Sequence, residues 1–152
     1  MIGTKKEIIN YILDKDDNIK FEIKEHKEKR GLKANAYHWK LCNEMAHILK
    51  TSDEELHFEL LKKYGVMDYI SLRADIPAKD YFKYYVEDKH YMIGSQEMAS
   101  YRVYKESHLM DTKEFSHLLE MTIQDARELG IEILEDTKIQ KMMEEYEKGM
   151  IK

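Results

Sequence analysis

Apolar residues recur at helical spacing in several stretches of this chain and alternate with polar ones in a few short stretches between them. Thr4-Lys5-Lys6-Glu7 has the spacing of a capping box, and Ile8, Ile9, Ile12 and Leu13 follow on one helical face. The polar residues 14–18 end that helix. Ile19, Phe21 and Ile23 then alternate with Lys20, Glu22 and Lys24, which predicts a half-buried strand over 18–25. A long helix is predicted over 32–50. Wound at about 100° per residue, it gathers Ala34, Tyr37, Leu41, Met45, Ile48 and Leu49 on one arc with His38 inside it. Asn35 and Trp39 lie at one border of the arc, while Lys33, Lys40 and His47 lie outside it.

Ser52-Asp53-Glu54-Glu55 opens the next helix and Gly65 closes it. Residues 66–76 read as a strand ended by Pro77, and 78–85 fit neither period clearly. Residues 91–93 and 100–104 read as a hairpin around Gly94-Ser95-Gln96. Asp111-Thr112-Lys113-Glu114 starts a helix whose face is Phe115, Leu118, Leu119, Thr122, Ala126 and Leu129, stopped at Gly130. A last amphipathic helix, 136–148, carries Ile139, Met142, Met143 and Tyr146. The order predicts an α+β fold: a small, mostly antiparallel sheet with helices packed on it. The expected organisation is a single domain over 1–152, with the C-terminal segment 136–152 at its periphery.

Composition narrows this picture. With 152 residues and 43 % hydrophobic content, the chain can bury a core without cross-links. A single cysteine, Cys42, leaves no intrachain disulfide and suits a reducing compartment, so the expected location is the cytoplasm. No apolar run reaches membrane-spanning length, and the N-terminus has no secretory h-region.

The net charge is −5, but it is segregated: residues 20–40 hold seven Lys/Arg against three Glu, a net of +4. That positive peak sits at the start of the long helix, where free amides and the helix dipole also attract anions. Lys29, Arg30 and Lys33 are therefore candidate phosphate contacts, with Lys40 on the same helix, and Trp39 is a candidate platform for an unpaired base. Asn35 is a candidate base contact. Residues 79–85 interleave tyrosines with lysines in a way that suits either a nucleic-acid strand or a tyrosine-rich sheet edge. Arg102 and Lys105, with Tyr101 and Tyr104, extend a candidate basic path.

Other chemistry finds little footing. There is no His-Glu-x-x-His helix, no cysteine pair for zinc and no glycine-rich phosphate loop. His26 and His38 flank Asn35 and leave a metal-dependent nuclease as the rival reading. A module that acts on another protein is a further alternative, suggested by the acidic C-terminal part and its methionines. The expectation is no catalytic residue, no metal and no cofactor.

Arg30-Gly31-Leu32-Lys33-Ala34-Asn35-Ala36-Tyr37-His38-Trp39 resembles the R-S-L-x-x-N-x-x-x-W signature of the phage recombination proteins of the NinB, or Orf, family. Met110, Glu114 and Phe115, then Leu118-Leu119-Glu120, then Gly130-Ile131, match a second block of that family. The resemblance is firm over 18–50 and 105–135. It implies a phage recombination mediator in the cytoplasm of a bacterial host. Such a protein binds single-stranded DNA, contacts the host single-stranded-DNA-binding protein, and assists loading of a recombinase or annealing protein. It also implies a homodimer, and DNA contact by Arg30, Asn35 and Trp39. Gly31 stands where the family has Ser, and the lambda-type N-terminal strand before the first helix is missing or very short here.

Overall fold

The computed structural model describes residues 1–24 and 33–150. The chain divides into two compact units, Met1–Arg30 and Gly31–Lys152.

In the first unit, α1 (Lys5–Leu13) begins with the expected capping box: Thr4 Oγ1 accepts from the Glu7 amide, and the Glu7 carboxylate accepts from the Thr4 amide at 2.7 Å. The Thr4 amide, and after it the Thr4 hydroxyl, which donates to the same carboxylate at 3.0 Å, hold the Glu7 carboxyl below the ordinary carboxylate range. The turn after α1 closes on Asp16, which accepts from the Asn18 amide. The strand expected over 18–25 is not formed: residues 19–24 carry no strand pairing, and residue 25 lies outside the described residues. Alternation marks a segment that could bury one face, but a strand exists only through a ladder with a neighbour, and the described part of this unit contains no second strand.

The second unit holds α2 (Ala34–Leu49), α3 (Asp53–Tyr64), β1 (Met67–Arg73), β2 (Tyr85–Ile93), β3 (Gln96–Tyr104), α4 (Thr112–Glu128) and α5 (Asp136–Met150). The three strands form one antiparallel sheet in the order β1-β3-β2. This is the α+β class that the pattern predicts. The hairpin turns at Gly94-Ser95, between the paired Ile93 and Gln96, and Gly94 adopts the φ of +59° that a primed two-residue turn requires. Both hairpin strands run longer than the alternation suggests. Asp88 sits at a register shift between Glu87 and Lys89, a bulge that breaks the period-2 pattern in the sequence.

One core lies among the helices. It takes Ala34, Tyr37, Leu41 and Met45 from α2, Leu60 and Leu61 from α3, Phe115, Leu118 and Leu119 from α4, and Met142 from α5. Tyr84, Val86 and Tyr104 bring the sheet onto it. The buried arc of α2 is shorter than its pattern implies, because Ile48 and Leu49 are each 49 % exposed. The helix ends there, with Lys50 in the left-handed conformation. A smaller core, Ala78, Ala99 and Tyr101, lies under the 3₁₀ turn Ala78–Asp80 that follows Pro77. No helix of the described residues is long and apolar enough to cross a membrane.

α4 is fixed at both ends by local chemistry. Asp111 Oδ1 accepts from the Glu114 amide at 2.8 Å, and Glu114 Oε1 accepts from the Asp111 amide at 2.9 Å and from Lys105 Nζ at 2.8 Å. At the other end Gly130, at φ +80°, lets the Ile131 amide reach back to the Ala126 carbonyl. Replacing Asp111 by Ala removes the acceptor for the Glu114 amide and is expected to cost about 0.5–2 kcal/mol. The check is the urea unfolding midpoint, which falls with no change in slope.

Candidate functional site

α2 distributes the sequence-derived candidates over different sides of the molecule. Lys33 is the N-cap residue; it is exposed and makes no side-chain cap, so among the described residues the first amides of α2 have no capping side chain. Lys29 and Arg30, and also His26, lie outside the described residues. Asn35 is half-buried, and its Oδ1 accepts from Ser107 Oγ at 2.7 Å, which ties α2 to the turn before α4. Lys40 is exposed beside a groove lined by Tyr37, Glu44, Glu132, Glu135 and Lys138. That neighbourhood is mostly acidic, and it faces the 131–138 segment rather than Trp39.

Trp39 turns toward α3. Its ring stacks on His57 with centroids 4.0 Å apart and planes 29° from parallel, and it remains partly exposed. His57 meets the Tyr84 ring edge-on at 5.3 Å. Tyr84 is buried and donates to Glu54 Oε2 at 2.9 Å, and burial followed by that bond raises its hydroxyl well above the ordinary tyrosine range. The Lys83 ammonium lies 5.4 Å from the centre of the Tyr84 ring. It is also close enough to His57 to disfavour protonation there. Trp39, His57, Tyr84 and Lys83 therefore converge from α2, α3 and the start of β2. The aromatic–lysine segment 79–85 continues from this point, with Lys79, Tyr81 and Lys83 exposed.

The second basic path narrows on inspection. Tyr101 and Tyr104 are buried, one in each core, and so present no ring to a ligand. Lys105 is paired with Glu114 at 2.8 Å. Arg102 lies 3.9 Å from Asp88, the bulge residue, and its buried Nε has no hydrogen-bond partner among the described residues. Arg102 therefore points at a carboxylate of its own sheet. His90 is held between Glu87 and Glu97, which raise its basicity.

Beneath Trp39 is a cluster that sequence reading missed. His38 Nε2 and His57 Nδ1 are 2.8 Å apart, and Cys42 Sγ is 3.4 Å from the same His38 Nε2. All three residues are buried, and their ligand-type atoms lie within 4.8 Å of one another. Burial holds His38 down to about 3 and His57 down to about 4, and it pushes the Cys42 thiol up to about 12 with help from Asp53 and Glu54. The signal in the chain was His38 and Cys42 four apart on one helix, a spacing that puts two side chains on the same face. His38 is turned fully inward, so its ring offers no nitrogen at the surface for a nuclease reaction with His26.

Comparisons of this chain with protein-family models, with curated proteins and with solved structures find no match.

Proposed function

We propose that this protein is a non-enzymatic, single-stranded-DNA-binding recombination mediator of phage type, acting as a homodimer in the cytoplasm of a bacterial host. In this reading it contacts the host single-stranded-DNA-binding protein and assists loading of a recombinase or annealing protein. Two lines support it: the resemblance of 30–39 and of the 110–131 block to the NinB family, and the segregation of positive charge at the start of α2.

The observation that carries the reading is the setting of Trp39. The only tryptophan of the chain is partly exposed and held flat against His57, the ring whose protonation the Lys83 ammonium disfavours. A pre-positioned ring lowers the entropic cost of stacking a splayed base, and a nearby ammonium serves the adjoining phosphate. The working interface is then Trp39, Lys83 and Tyr81, with Lys33 at the head of α2 as a phosphate contact; Lys29 and Arg30, the other expected phosphate contacts, lie outside the described residues. Lys40, Asn35 and Arg102 are secondary: the first sits among carboxylates, the second is bonded to Ser107, and the third lies against Asp88.

The test is anisotropy with a labelled single strand and a duplex of equal length at two salt concentrations. The single strand should bind more tightly. Trp39→Ala should weaken it by about 1–3 kcal/mol, or roughly 5- to 150-fold. Lys33→Ala together with Lys83→Ala should flatten the log–log salt dependence by about 0.7 per lost phosphate contact. Equal affinity for all variants, with unchanged salt slopes, removes this interface. Cleavage of the strand in Mg²⁺, Mn²⁺ or Zn²⁺ favours the nuclease instead, and the absence of any shift at low salt favours a protein-binding module.

A further inference from the structure

Within the imidazole–thiol cluster two groups share one ring nitrogen. His38 Nε2 faces both His57 Nδ1 and Cys42 Sγ, yet a ring nitrogen offers either one proton or one lone pair. If Nε2 carries the proton and donates it to His57, the buried thiol keeps its proton with no acceptor there. If Nε2 is the acceptor, the His57 N–H and the Cys42 S–H compete for its one lone pair. His38 Nδ1, on the far side of the ring, has no partner among the described residues, so neither tautomer brings relief there. Buried polar groups are ordinarily paired, and an unmet one is costly, so two groups competing for one ring nitrogen call for another occupant.

We propose that His38, Cys42 and His57 form an enclosed site for one divalent transition-metal ion of the zinc class, with His38 Nε2, His57 Nδ1 and Cys42 Sγ as its ligands.

The geometry is close to what such an ion needs. With Zn–N of about 2.0–2.1 Å and Zn–S of about 2.3 Å, tetrahedral ligation places the two nitrogens about 3.3 Å apart and each nitrogen about 3.5 Å from the sulfur. The 3.4 Å between Cys42 Sγ and His38 Nε2 fits without movement, the 2.8 Å between the rings must open by about half an ångström, and Cys42 Sγ and His57 Nδ1, within 4.8 Å of each other, must come to about 3.5 Å. Two neutral imidazoles and one thiolate form a borderline-soft set that prefers zinc, cobalt or copper over magnesium or calcium. The imidazoles already hold the neutral, ligating form. The thiol must ionise: the S–H bond breaks as the S–metal bond forms, and one proton leaves for solvent per ion bound. Water or a carboxylate completes the shell. Because α2 supplies two ligands and α3 the third, the ion would clamp the two helices that carry Trp39 and its stacking partner.

The test uses the full chain, stripped with a chelator and then titrated with Co²⁺ and separately with Zn²⁺. One equivalent of Co²⁺ should produce a thiolate-to-cobalt charge-transfer band and quench the fluorescence of Trp39, which stacks on the ligand His57. Zn²⁺ should displace the cobalt, release about one proton per ion, and raise the melting temperature by roughly 5–10 °C when free zinc is a hundred-fold above Kd. Mg²⁺ should do none of this. Cys42→Ser, nearly isosteric, should abolish the band while its circular dichroism stays native. Wild-type protein that shows neither band nor thermal shift overturns the site, whatever the variants do. A band that survives in a folded Cys42→Ser chain overturns it equally.

Discussion

Phe115→Ala is expected to cost about 3–5 kcal/mol of folding stability, the largest loss from a single side chain. Phe115 is fully buried. Its ring stacks on Tyr146 of α5, centroids 4.5 Å apart and planes 21° from parallel, and it meets the His38 ring of α2 edge-on at 6.3 Å. Tyr146 is fixed in turn, because its hydroxyl donates to the Ser107 and Met110 carbonyls in the turn before α4. Truncating Phe115 therefore opens a cavity where three helices meet, and it removes the surface that orients Tyr146. The surrounding rings are braced by their own contacts, so the site collapses poorly and the cavity cost stays near the upper range. In a domain of this size that loss lowers the melting temperature by roughly 6–20 °C. Tyr146→Phe keeps the stack and loses the hydroxyl bonds, so its cost should be about 1 kcal/mol. If Phe115→Ala costs no more than Tyr146→Phe in urea titrations, the α4–α5 contact contributes little.

The difference between legible and hidden features of this chain is one of range. α1, α3 and α4 could be read because capping residues and helical periodicity act within a few residues: Thr4 with Glu7, Ser52 with Glu55, and Asp111 with Glu114 all take the caps their spacing implies. The α4 face was legible for the same reason, and Phe115, Leu118, Leu119, Thr122 and Ala126 are all buried. Non-local features were not legible. Residues 19–24 have a strand's alternation and, among the described residues, no partner. The bulge at Asp88 hid most of β2, and β3, as the central strand, buries consecutive residues at Ala99, Ser100 and Tyr101 with no alternation to see. The candidate site divides the same way. Trp39 was placed at the border of an apolar arc and lies there, partly exposed. What stacks on it, His57, comes from a different helix with no signal in sequence. Lys40 and Trp39 are both candidates for one site, yet the winding of α2 sets them on different sides, and they meet different neighbours.

The metal-free protein is expected to lose stability steeply on mild acidification, well before its carboxylates titrate. His38 and His57 are buried and share one hydrogen bond, and desolvation, the leading cause for both, holds them neutral far below the ordinary histidine range. The sign follows from proton counting. Well above about pH 6.5 neither the folded nor the unfolded chain protonates these rings, so their contribution to stability is fully present. As pH falls below that value, the unfolded chain takes up two protons while the folded pair takes up none, and unfolding becomes easier with each step. The limiting slope for two such groups is about 2.7 kcal/mol per pH unit, so the drop from pH 7 to pH 5 is on the order of 3–5 kcal/mol, a large share of a domain's usual 5–15 kcal/mol. The loss continues until the folded pair itself protonates, near pH 4 and below. Urea midpoints at pH 7, 6 and 5 give the measurement. Replacing His57 by Gln removes one of the two titrating rings while keeping an amide able to bond His38, so the variant starts less stable and its midpoint falls about half as steeply. A wild-type midpoint that stays level from pH 7 to pH 5 means the two rings are already charged or reach solvent in the folded chain, and the neutral buried pair is then not the state that holds α2 against α3.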